Sequence, residues 1–314
     1  MPAQRGKVGM DHEHYVWSPI TERPPLRWPD GAHLALGVMV DLEYFEVTPP
    51  PGAVQSRDMQ GGLGARLYPD YARLSHREYG HRVGIFRVLD VLGKHGIPPM
   101  VAVDAMTAEE YPFLVEHCRE RGCEFIAHGI AVTRMISSRM TEDDERAYIA
   151  ESLQRLRSAT GVAPVGWFSP EYGESERTPR LLAEAGIRYV CDWVNDEQPY
   201  PMTVPTGSLY ALPISVEFDD AYALSLRGVT LDRYERMLLE GADRLHADGA
   251  ATGRLMLLNL RPWLIGQPFR IGLLDRVLGT IARRPKTWLA TGAQIIDWIA
   301  KARAGAAAPA ATRR

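Results

Sequence analysis

The chain has 314 residues, of which 46% are hydrophobic and 24% charged, and its formal net charge at pH 7 is −3. This composition is ordinary for a soluble globular protein, and a chain of this length can bury one large core. The nearly balanced charge gives no electrostatic reason to expect nucleic acid or a membrane as a partner. Three cysteines are too few for a disulfide framework, and the N-terminus lacks an apolar stretch of signal-peptide length. We therefore expect a cytoplasmic protein that acts on a small molecule.

The chain divides into an arm, one large domain and a short tail. Residues 1–30 are rich in Pro, Arg and Trp and predict an ordered arm, because Pro interrupts helices. Residues 31–303 predict a single domain, in which residues 47–75 form a long loop after the first strand. Loops of this length are usually functional or disordered, and we favour a lid or an oligomer contact over plain disorder. Residues 304–314 are low in complexity and predict a disordered tail.

Seven short apolar runs predict β-strands, and each one leads into a polar or ionisable residue. In chain order these residues are Asp41, Asp104, His128, Ser169, Asp192, Glu217 and Arg261. In a barrel of parallel strands, the carboxyl ends of the strands share one rim and supply the catalytic side chains. The pattern therefore predicts an α/β barrel enzyme whose distant residues meet in one site.

Segments with helical periodicity lie between most of these strands. One helix is predicted over about residues 79–95, and a second starts after Thr141, whose side chain can cap it, and stops at Gly161. Further helices are predicted at about residues 176–185, 231–248, 271–284 and 292–303. The alternation of strands and helices indicates βα units and a parallel sheet.

Two of the strand ends carry candidates for acid–base chemistry. Asp41 and Glu43 are two residues apart, so a strand places both side chains on the same face. Two carboxyl groups in one enclosed site push their pKa values apart, which suits a general base. The alternative is a pair of ordinary solvated carboxylates at the rim. His128, which precedes Gly129, is either a catalytic residue or a structural histidine.

Three loops after strands supply candidates for binding. The first holds Ser169 to Gly173, the second holds acids and aromatics from Asp192 to Tyr200, and the third starts at Arg261. The candidate substrate-binding residues are Ser169, Glu171, Tyr172, Asp192, Trp193, Asp196 and Trp263. A cation at Arg261 suits an oxyanion or a substrate carboxylate, and the alternative is an ion pair with a rim acid.

The ordered set of motifs resembles a known superfamily. Asp-x-Glu is followed by YGHRVGIFRVLDVLGKHGIPPMVAVDA, EFIAHG, WFSPEYG, VCDWVNDEQPYP and LNLRPWLIGQPFRI. This order resembles the polysaccharide deacetylase (NodB-homology) superfamily over about residues 15–300, and most closely its allantoinase-like and cyclic-imide-hydrolase-like branch, which is metal-independent. The resemblance implies a distorted (β/α)7-type barrel, hydrolysis of a non-peptide C–N bond, and a homodimer or homotetramer.

The resemblance also implies roles for individual residues. Asp41 matches the catalytic base, Glu43 stands at the position of the metal-binding acid, and His128 matches the first of two metal-binding histidines. The second histidine position is Val132, which cannot coordinate a metal. We therefore expect no cofactor. If a divalent metal such as zinc does bind, Glu43 and His128 are its candidate ligands, although catalytic zinc normally has three protein ligands.

The last motif departs from the family pattern, because Arg261 replaces the histidine of Leu-His-Pro. Arginine stays protonated and cannot transfer a proton as histidine does. The leading hypothesis is metal-independent hydrolysis of a small cyclic amide or imide. In it Asp41 activates water with help from Glu43, and His128, Arg261 or a backbone N–H within residues 169–173 stabilises the oxyanion. The alternatives are a metal-dependent N-acetyl (polysaccharide) deacetylase and a catalytically impaired paralogue kept for binding.

Overall fold

The computed structural model describes residues 11–51 and 69–307, with side chains through residue 303. Within these residues nine strands form one sheet. They are β1 (Leu34–Leu42), β2 (Pro99–Val103), β3 (Glu124–Ala127), β4 (Gly166–Trp167), β5 (Tyr189–Val190), β6 (Tyr200–Pro201), β7 (Tyr210–Ala211), β8 (Arg254–Leu260) and β9 (Thr287–Leu289).

The sheet is a distorted barrel of seven parallel strands. Its order is β7-β5-β4-β3-β2-β1-β8, each strand parallel to the next, while β6 pairs antiparallel with β7 and β9 pairs with the start of β1. Beyond the end of β7, the Ser215 amide donates to the Leu257 carbonyl of β8 at 3.0 Å and brings the two edges together. The predicted (β/α)7-type barrel is confirmed.

The helices of the described residues pack outside the sheet. They are α1 (Tyr71–Tyr79), α2 (Ile85–Lys94), α3 (Ala105–Glu110), α4 (Pro112–Glu120), α5 (Glu142–Thr160), α6 (Thr178–Glu184), α7 (Leu231–Gly249), α8 (Pro262–Ile265), α9 (Ile271–Ala282) and α10 (Gly292–Ala307). A π-helical turn at Gly80–Gly84 joins α1 to α2, and a second one lies at Ala221–Leu226. None of the described helices combines the length and the apolar character that crossing a membrane requires.

The predicted helices are present, with ends shifted by a few residues. Thr141 caps α5 by accepting a hydrogen bond from the Asp144 amide at 3.2 Å, and Gly161 ends the helix with φ of 74°. The helices α3, α4 and α8 are short and were missing from the sequence prediction. Helix α10 runs to Ala307, past residue 303 where its end was predicted.

Alternation along the buried strands decides which side chains face the interior of the barrel. On β1, Ala35 and Met39 join the interior cluster, while Leu36, Val38 and Val40 pack toward the helices. The strand period of two therefore turns Asp41 inward, beside the interior residues. The same alternation on β8 turns Asn259 inward, and Arg261 follows in the same phase.

Two local predictions need correction. The sixth strand was predicted at residues 212–216, but β7 is Tyr210–Ala211, because Pro213 has no N–H to donate to a ladder. Glu217 accordingly lies in a 3-10 turn and pairs with Arg227 at the surface, away from the barrel interior. The predicted loop 47–75 ends earlier, since α1 begins at Tyr71, and its residues 52–68 lie outside the described residues.

The described part of the N-terminal arm, residues 11–30, packs against the barrel. Its two helical turns are short 3-10 turns at Ile20–Glu22 and Pro29–Gly31. Trp28 is buried, and its indole N–H donates to the Arg254 carbonyl at the start of β8 at 2.9 Å. This part of the arm, around Trp28, therefore packs against the end of the barrel where β8 begins.

Candidate active site

The carboxyl ends of β1 and β8 bring Asp41, Asn259 and Arg261 together. The Asn259 side-chain amide donates to Asp41 Oδ2 at 3.0 Å and to Asp219 Oδ2 at 3.2 Å. Arg261 Nε lies 3.5 Å from Asp41 Oδ2. One oxygen of Asp41 is thus held from two sides, and the three residues form the centre of a buried polar cluster.

The second oxygen of Asp41 is the unusual feature of this cluster. Asp41 is only 3% exposed, and its Oδ1 has no hydrogen-bond partner among the described residues. Burial raises the pKa of Asp41 to about 7, with the Arg261 guanidinium opposing the shift and the Glu43 carboxylate adding to it. Asp41 is therefore a buried carboxyl group that titrates near neutral pH with one oxygen free to accept a proton. The alternative of a solvated rim carboxylate is wrong for this residue.

His128 lies beside this carboxyl pair at the end of β3. Its Nδ1–H donates to the Phe168 carbonyl at 2.6 Å, because a carbonyl can only accept, and its ring stacks on Phe168 at 4.8 Å between centroids. Its Nε2 is 3.5 Å from Glu43 Oε1, an ion-pair distance too long for a well-formed hydrogen bond. The orientation of the imidazole is therefore fixed on one side, and Nε2 points toward the acids.

The charges around His128 favour its protonated form. Burial opposes protonation, but the Glu43 and Asp41 carboxylates outweigh it and raise the pKa of His128 to about 9. The pKa of Glu43 moves down: burial alone would raise it, but the neighbouring His128 imidazole and the Arg261 guanidinium lower it. The two carboxyl groups of the Asp-x-Glu motif thus have pKa values on opposite sides of the usual range, which suits different roles.

Arg261 is held by buried acids on three sides. Its Nη1 pairs with Asp219 and lies 3.8 Å from Asp220 Oδ1, in addition to the contact of Nε with Asp41. Its backbone N–H also donates to the Asp220 carboxylate at 3.0 Å. The interpretation of Arg261 as an ion pair with acids therefore holds, although these acids are buried instead of lying at the rim. The Arg261 guanidinium already contacts these carboxyl groups. It therefore acts on the charge of Asp41 more directly than it could stabilise the oxyanion of a bound substrate.

The loop after β4 contributes one side chain and a strained backbone. Tyr172 donates its hydroxyl to Asp219 at 3.1 Å, and both Tyr172 and Glu171 have positive φ, 57° and 55°. Two such non-glycine residues in succession are costly and are typical of functional sites. The amide of Ser169 donates to Asp192, and the amides of Tyr172 and Gly173 donate within the loop. These three N–H groups are thus unavailable as the predicted oxyanion donors.

In the loop after β5, one residue contacts the site and two others contact the N-terminal arm. Asp192 Oδ1 accepts from the Ser169 amide at 2.8 Å, which ties the ends of β4 and β5 together. Trp193 contacts His14 and Tyr15 of the arm, with ring centroids at 5.3 and 5.5 Å. Asp196 pairs with Arg23 of the arm at 2.5 Å. Asp196 therefore anchors the arm, and no described contact joins it to Asp41, contrary to its predicted role in the pocket.

Trp263 and Glu171 are the remaining two of the predicted substrate-binding residues, and Glu171 is exposed. Trp263 is buried in α8, directly after Arg261 and Pro262, and stacks on Arg77. Several residues in or next to the cluster were missing from the predicted site: Asp219, Asp220, Asn259, Arg77 and His81. The pair Asp219–Asp220 follows the predicted strand end at Glu217 by two residues, so the acids in this stretch were a usable signal. Asn259 could have been found from its spacing of two before Arg261 on a strand.

The residues present do not fit a catalytic metal with three protein ligands. Val132, which stands where the family has its second histidine, is fully buried and apolar. Among the described residues, no group of three or more His, Cys, Asp or Glu side chains is placed to hold a metal ion. Asp41 Oδ2 is occupied by Asn259 and Arg261, which leaves Glu43 and His128 as the only matched donors. Two donors fall short of an ordinary zinc site.

Comparisons with known proteins agree with this fold. Residues 78–190 match the family model described as polysaccharide deacetylase. A protein of Schizosaccharomyces pombe with the provisional name of polysaccharide deacetylase is 26% identical over 243 residues, 71% of this chain and 75% of that protein. The stretch that matches the family model, residues 78–190, contains His128 and Ser169 but neither Asp41 nor Arg261.

Several solved structures superpose on most of this chain. A probable polysaccharide deacetylase from Pseudomonas aeruginosa PAO1 has a TM-score of 0.79 at 24% identity and covers 90% of this chain and 95% of its own. The Puue allantoinase has a TM-score of 0.76 at 24% identity and covers 88% of this chain and 94% of its own. At this level of identity these two structures show the fold alone. The sequence matches and the fold thus make this chain similar to polysaccharide deacetylases.

Proposed function

We propose that the protein hydrolyses a small cyclic amide or imide without a metal ion, as the allantoinase-like branch does. The observation that carries this proposal is that two buried atoms at one end of the barrel, Asp41 Oδ1 and His128 Nε2, have no hydrogen-bond partner among the described residues. A carboxylate with a pKa near neutrality is a suitable general base, and an imidazolium is a suitable general acid. Buried polar atoms without partners are costly, so a substrate and a water are the natural partners for both.

The proposed reaction begins with water. Asp41 accepts a proton from a water molecule, whose oxygen adds to a ring carbonyl carbon. The imidazolium of His128 stabilises the resulting oxyanion and then donates its proton to the ring nitrogen as the C–N bond breaks. The product is a ring-opened carboxylic acid with an amide or urea group. The proton on Asp41 then returns to His128, directly or through water, which restores both residues for the next turnover. Glu43 keeps His128 protonated and oriented until that transfer.

A ring substrate suits this site better than an unactivated acetamide does. Ring strain and a delocalised nitrogen leaving group lower the barrier that a metal ion would otherwise have to lower. Deacetylation of an N-acetyl sugar is nevertheless a second candidate, because the sequence match is to the polysaccharide deacetylase model. A panel of hydantoins, succinimide-type imides, allantoin and N-acetylated sugars, each assayed with and without chelator, tests both candidates.

We expect activity on the preferred cyclic amide to survive EDTA, because the described residues contain no group of three or more His, Cys, Asp or Glu side chains placed to hold a metal ion. The measurement is the initial rate before and after chelation and gel filtration, with metal content determined in the same samples. Loss of activity on chelation, followed by recovery with zinc, cobalt or manganese, would instead establish the metal-dependent deacetylase.

We also expect a bell-shaped dependence of kcat/KM on pH. The base Asp41 must be ionised, so activity should rise as the pH passes through about 7, and His128 must be protonated, so activity should fall above about 9. A profile of kcat/KM from about pH 3 to about pH 10 measures both limbs. An acid limb near pH 4, the ordinary range of a carboxyl group, would contradict a buried Asp41 as the base.

A further inference from the structure

Asn259 connects two buried acids of the cluster through its side-chain amide nitrogen. This Nδ2 donates to Asp41 Oδ2 at 3.0 Å and to Asp219 Oδ2 at 3.2 Å, so both of its hydrogens are used. Asp219 Oδ2 also accepts from the Tyr172 hydroxyl at 3.1 Å and pairs with Arg261. Because carboxylate oxygens and an amide oxygen all accept hydrogen bonds, the nitrogen of Asn259 has to face the two acids. The orientation of the amide is therefore fixed.

The amide oxygen of Asn259 is the atom that this arrangement leaves over. Asn259 is fully buried, and its Oδ1 has no hydrogen-bond partner among the described residues. A buried acceptor without a donor is unfavourable, so a molecule that brings a donor to it gains binding free energy. Asp41 Oδ1, which the proposed reaction assigns to the attacking water, is a second acceptor of this kind.

The two acceptors belong to side chains that contact each other, and they lie at different depths in the barrel. In the register of β1 and β8, Asn259 lies opposite Met39, which is two residues before Asp41 and faces the barrel interior. Asn259 therefore stands one layer deeper than Asp41. Its amide forms the floor of the site beneath the Asp41 carboxyl group.

A cyclic amide or imide carries the donor that Asn259 Oδ1 lacks. Its ring nitrogen is bonded to the carbonyl carbon that water attacks, so an N–H lies next to the reacting atom. We propose that Asn259 Oδ1 accepts a hydrogen bond from this ring N–H, so that the enzyme selects rings with an unsubstituted nitrogen over their N-alkyl derivatives. This inference rests on the proposed ring hydrolysis. Since the N–H lies in the ring plane, the bond to Asn259 leaves the face of the nitrogen open to the His128 imidazolium.

The test compares succinimide with N-methylsuccinimide, in which a methyl group replaces the ring hydrogen. For the wild-type protein, we expect kcat/KM for succinimide to exceed that for N-methylsuccinimide by at least about 10-fold, because the methyl group leaves the buried acceptor unpaired. Asn259→Leu keeps the approximate shape of the side chain and removes the acceptor, so it should reduce this preference by about 10-fold or more. The intrinsic reactivities of the two rings cancel, because both proteins act on the same pair.

The ratio between the rings separates recognition from the structural role of Asn259. Asn259→Leu also removes the donor to Asp41 and Asp219, and this loss should lower the rates for both rings by the same factor. The matched control is Tyr172→Phe, which removes another donor to Asp219 and leaves Asn259 in place. It should leave the ratio unchanged, as should Asn195→Leu, the same substitution at an exposed position. Equal preference for the two rings in the wild-type protein, or a ratio that Asn259→Leu does not change, would overturn the inference.

Folding is followed by thermal melting of every variant. If Asn259→Leu does not fold, Asn259→Ala replaces it, because alanine also lacks the acceptor and leaves room for the N-methyl group. The expected result is the same reduction in the preference for succinimide.

A binding measurement separates this inference from the proposed function. If the wild-type protein hydrolyses neither ring, ring hydrolysis fails as the function, and calorimetric titration of both rings decides the inference alone. A dissociation constant at least about 10-fold lower for succinimide than for N-methylsuccinimide, with the difference lost in Asn259→Leu, would uphold the hydrogen bond. Equal dissociation constants, or no binding of either ring, would refute it. The same titration serves if Asn259→Leu folds but has no measurable turnover.

Discussion

Replacing Asp41 with asparagine should reduce kcat on a cyclic amide by at least about 10²-fold, the lower end of the usual cost of losing a general base. The asparagine amide keeps the shape of the carboxyl group and its contact with Asn259, but it cannot accept a proton from water. Because Asp41 is buried and its pKa is raised, its ionised form is disfavoured in the folded protein. Removing that charge should therefore leave the melting temperature little changed or higher. The measurement is single-turnover kinetics together with thermal melting.

Asp104 provides the matched control for this experiment. It is also buried at the end of a strand, and burial raises its pKa to about 7 as well. Its two oxygens, however, accept hydrogen bonds from the backbone amides of Thr107 at 2.7 Å and Tyr44 at 2.5 Å. Asp104→Asn should lower stability and leave kcat within a few-fold of wild type. If Asp41→Asn turns over normally, or if both variants lose activity equally, Asp41 is not the base.

Arg261 should have the second large effect, through the charge it places beside Asp41. Arg261→Ala removes the cation that opposes the rise of the Asp41 pKa, so the acid limb of the pH profile should move to higher pH. At pH 7 we expect kcat to fall by roughly 10²–10³, as for loss of an electrostatic stabiliser. Arg261→Lys, which keeps the charge but not the fork that meets Asp219, should recover part of this loss. The pH profiles of both variants and of wild type supply the test.

Folding must be controlled in this series, since removing one partner from a buried ion pair costs about 3–5 kcal/mol of stability. Melting temperatures and a folded-state assay at each pH show whether each variant is folded. If Arg261→Ala does not fold, the activity of Arg261→Lys still tests the role of Arg261. Arg261→His should recover at most partial activity, because the shorter imidazole meets Asp219 and Asp41 less well. A gain of amide hydrolysis above wild type on introducing histidine would favour the catalytically impaired paralogue over the proposed enzyme.

Local patterns in the sequence predicted the barrel and several residues of the cluster. Short apolar runs that alternate with amphipathic helices specify βα units, because both periodicities are properties of neighbouring residues. The same local logic placed Asp41 and Glu43 on one face and His128 and Arg261 at the same end of the sheet. It failed for the sixth strand, where Pro213 interrupts the apolar run around Leu212 and Ile214.

Long-range packing decided what the local patterns left open. The predicted pocket residue Asp196 is drawn to Arg23, about 170 residues away in sequence, and thereby holds the arm. Asp219 and Asp220 reach Arg261 because the segment after β7 closes against β8. No spacing in the sequence encodes such pairings, since they depend on how the sheet curls.

The sequence by itself determined the strand and helix order, the inward position of Asp41 and an apolar side chain, Val132, at the position where the resemblance places a metal ligand. Only the tertiary structure decided that Asp41 is buried with one oxygen lacking a hydrogen-bond partner, that Arg261 pairs with Asp219 and lies close to Asp41 and Asp220, and that Arg77 stacks on Trp263. Periodicity fixes which way a side chain points from its own strand. Burial and the charges of residues distant in sequence fix its pKa and its partners, and these exist only when the barrel has closed.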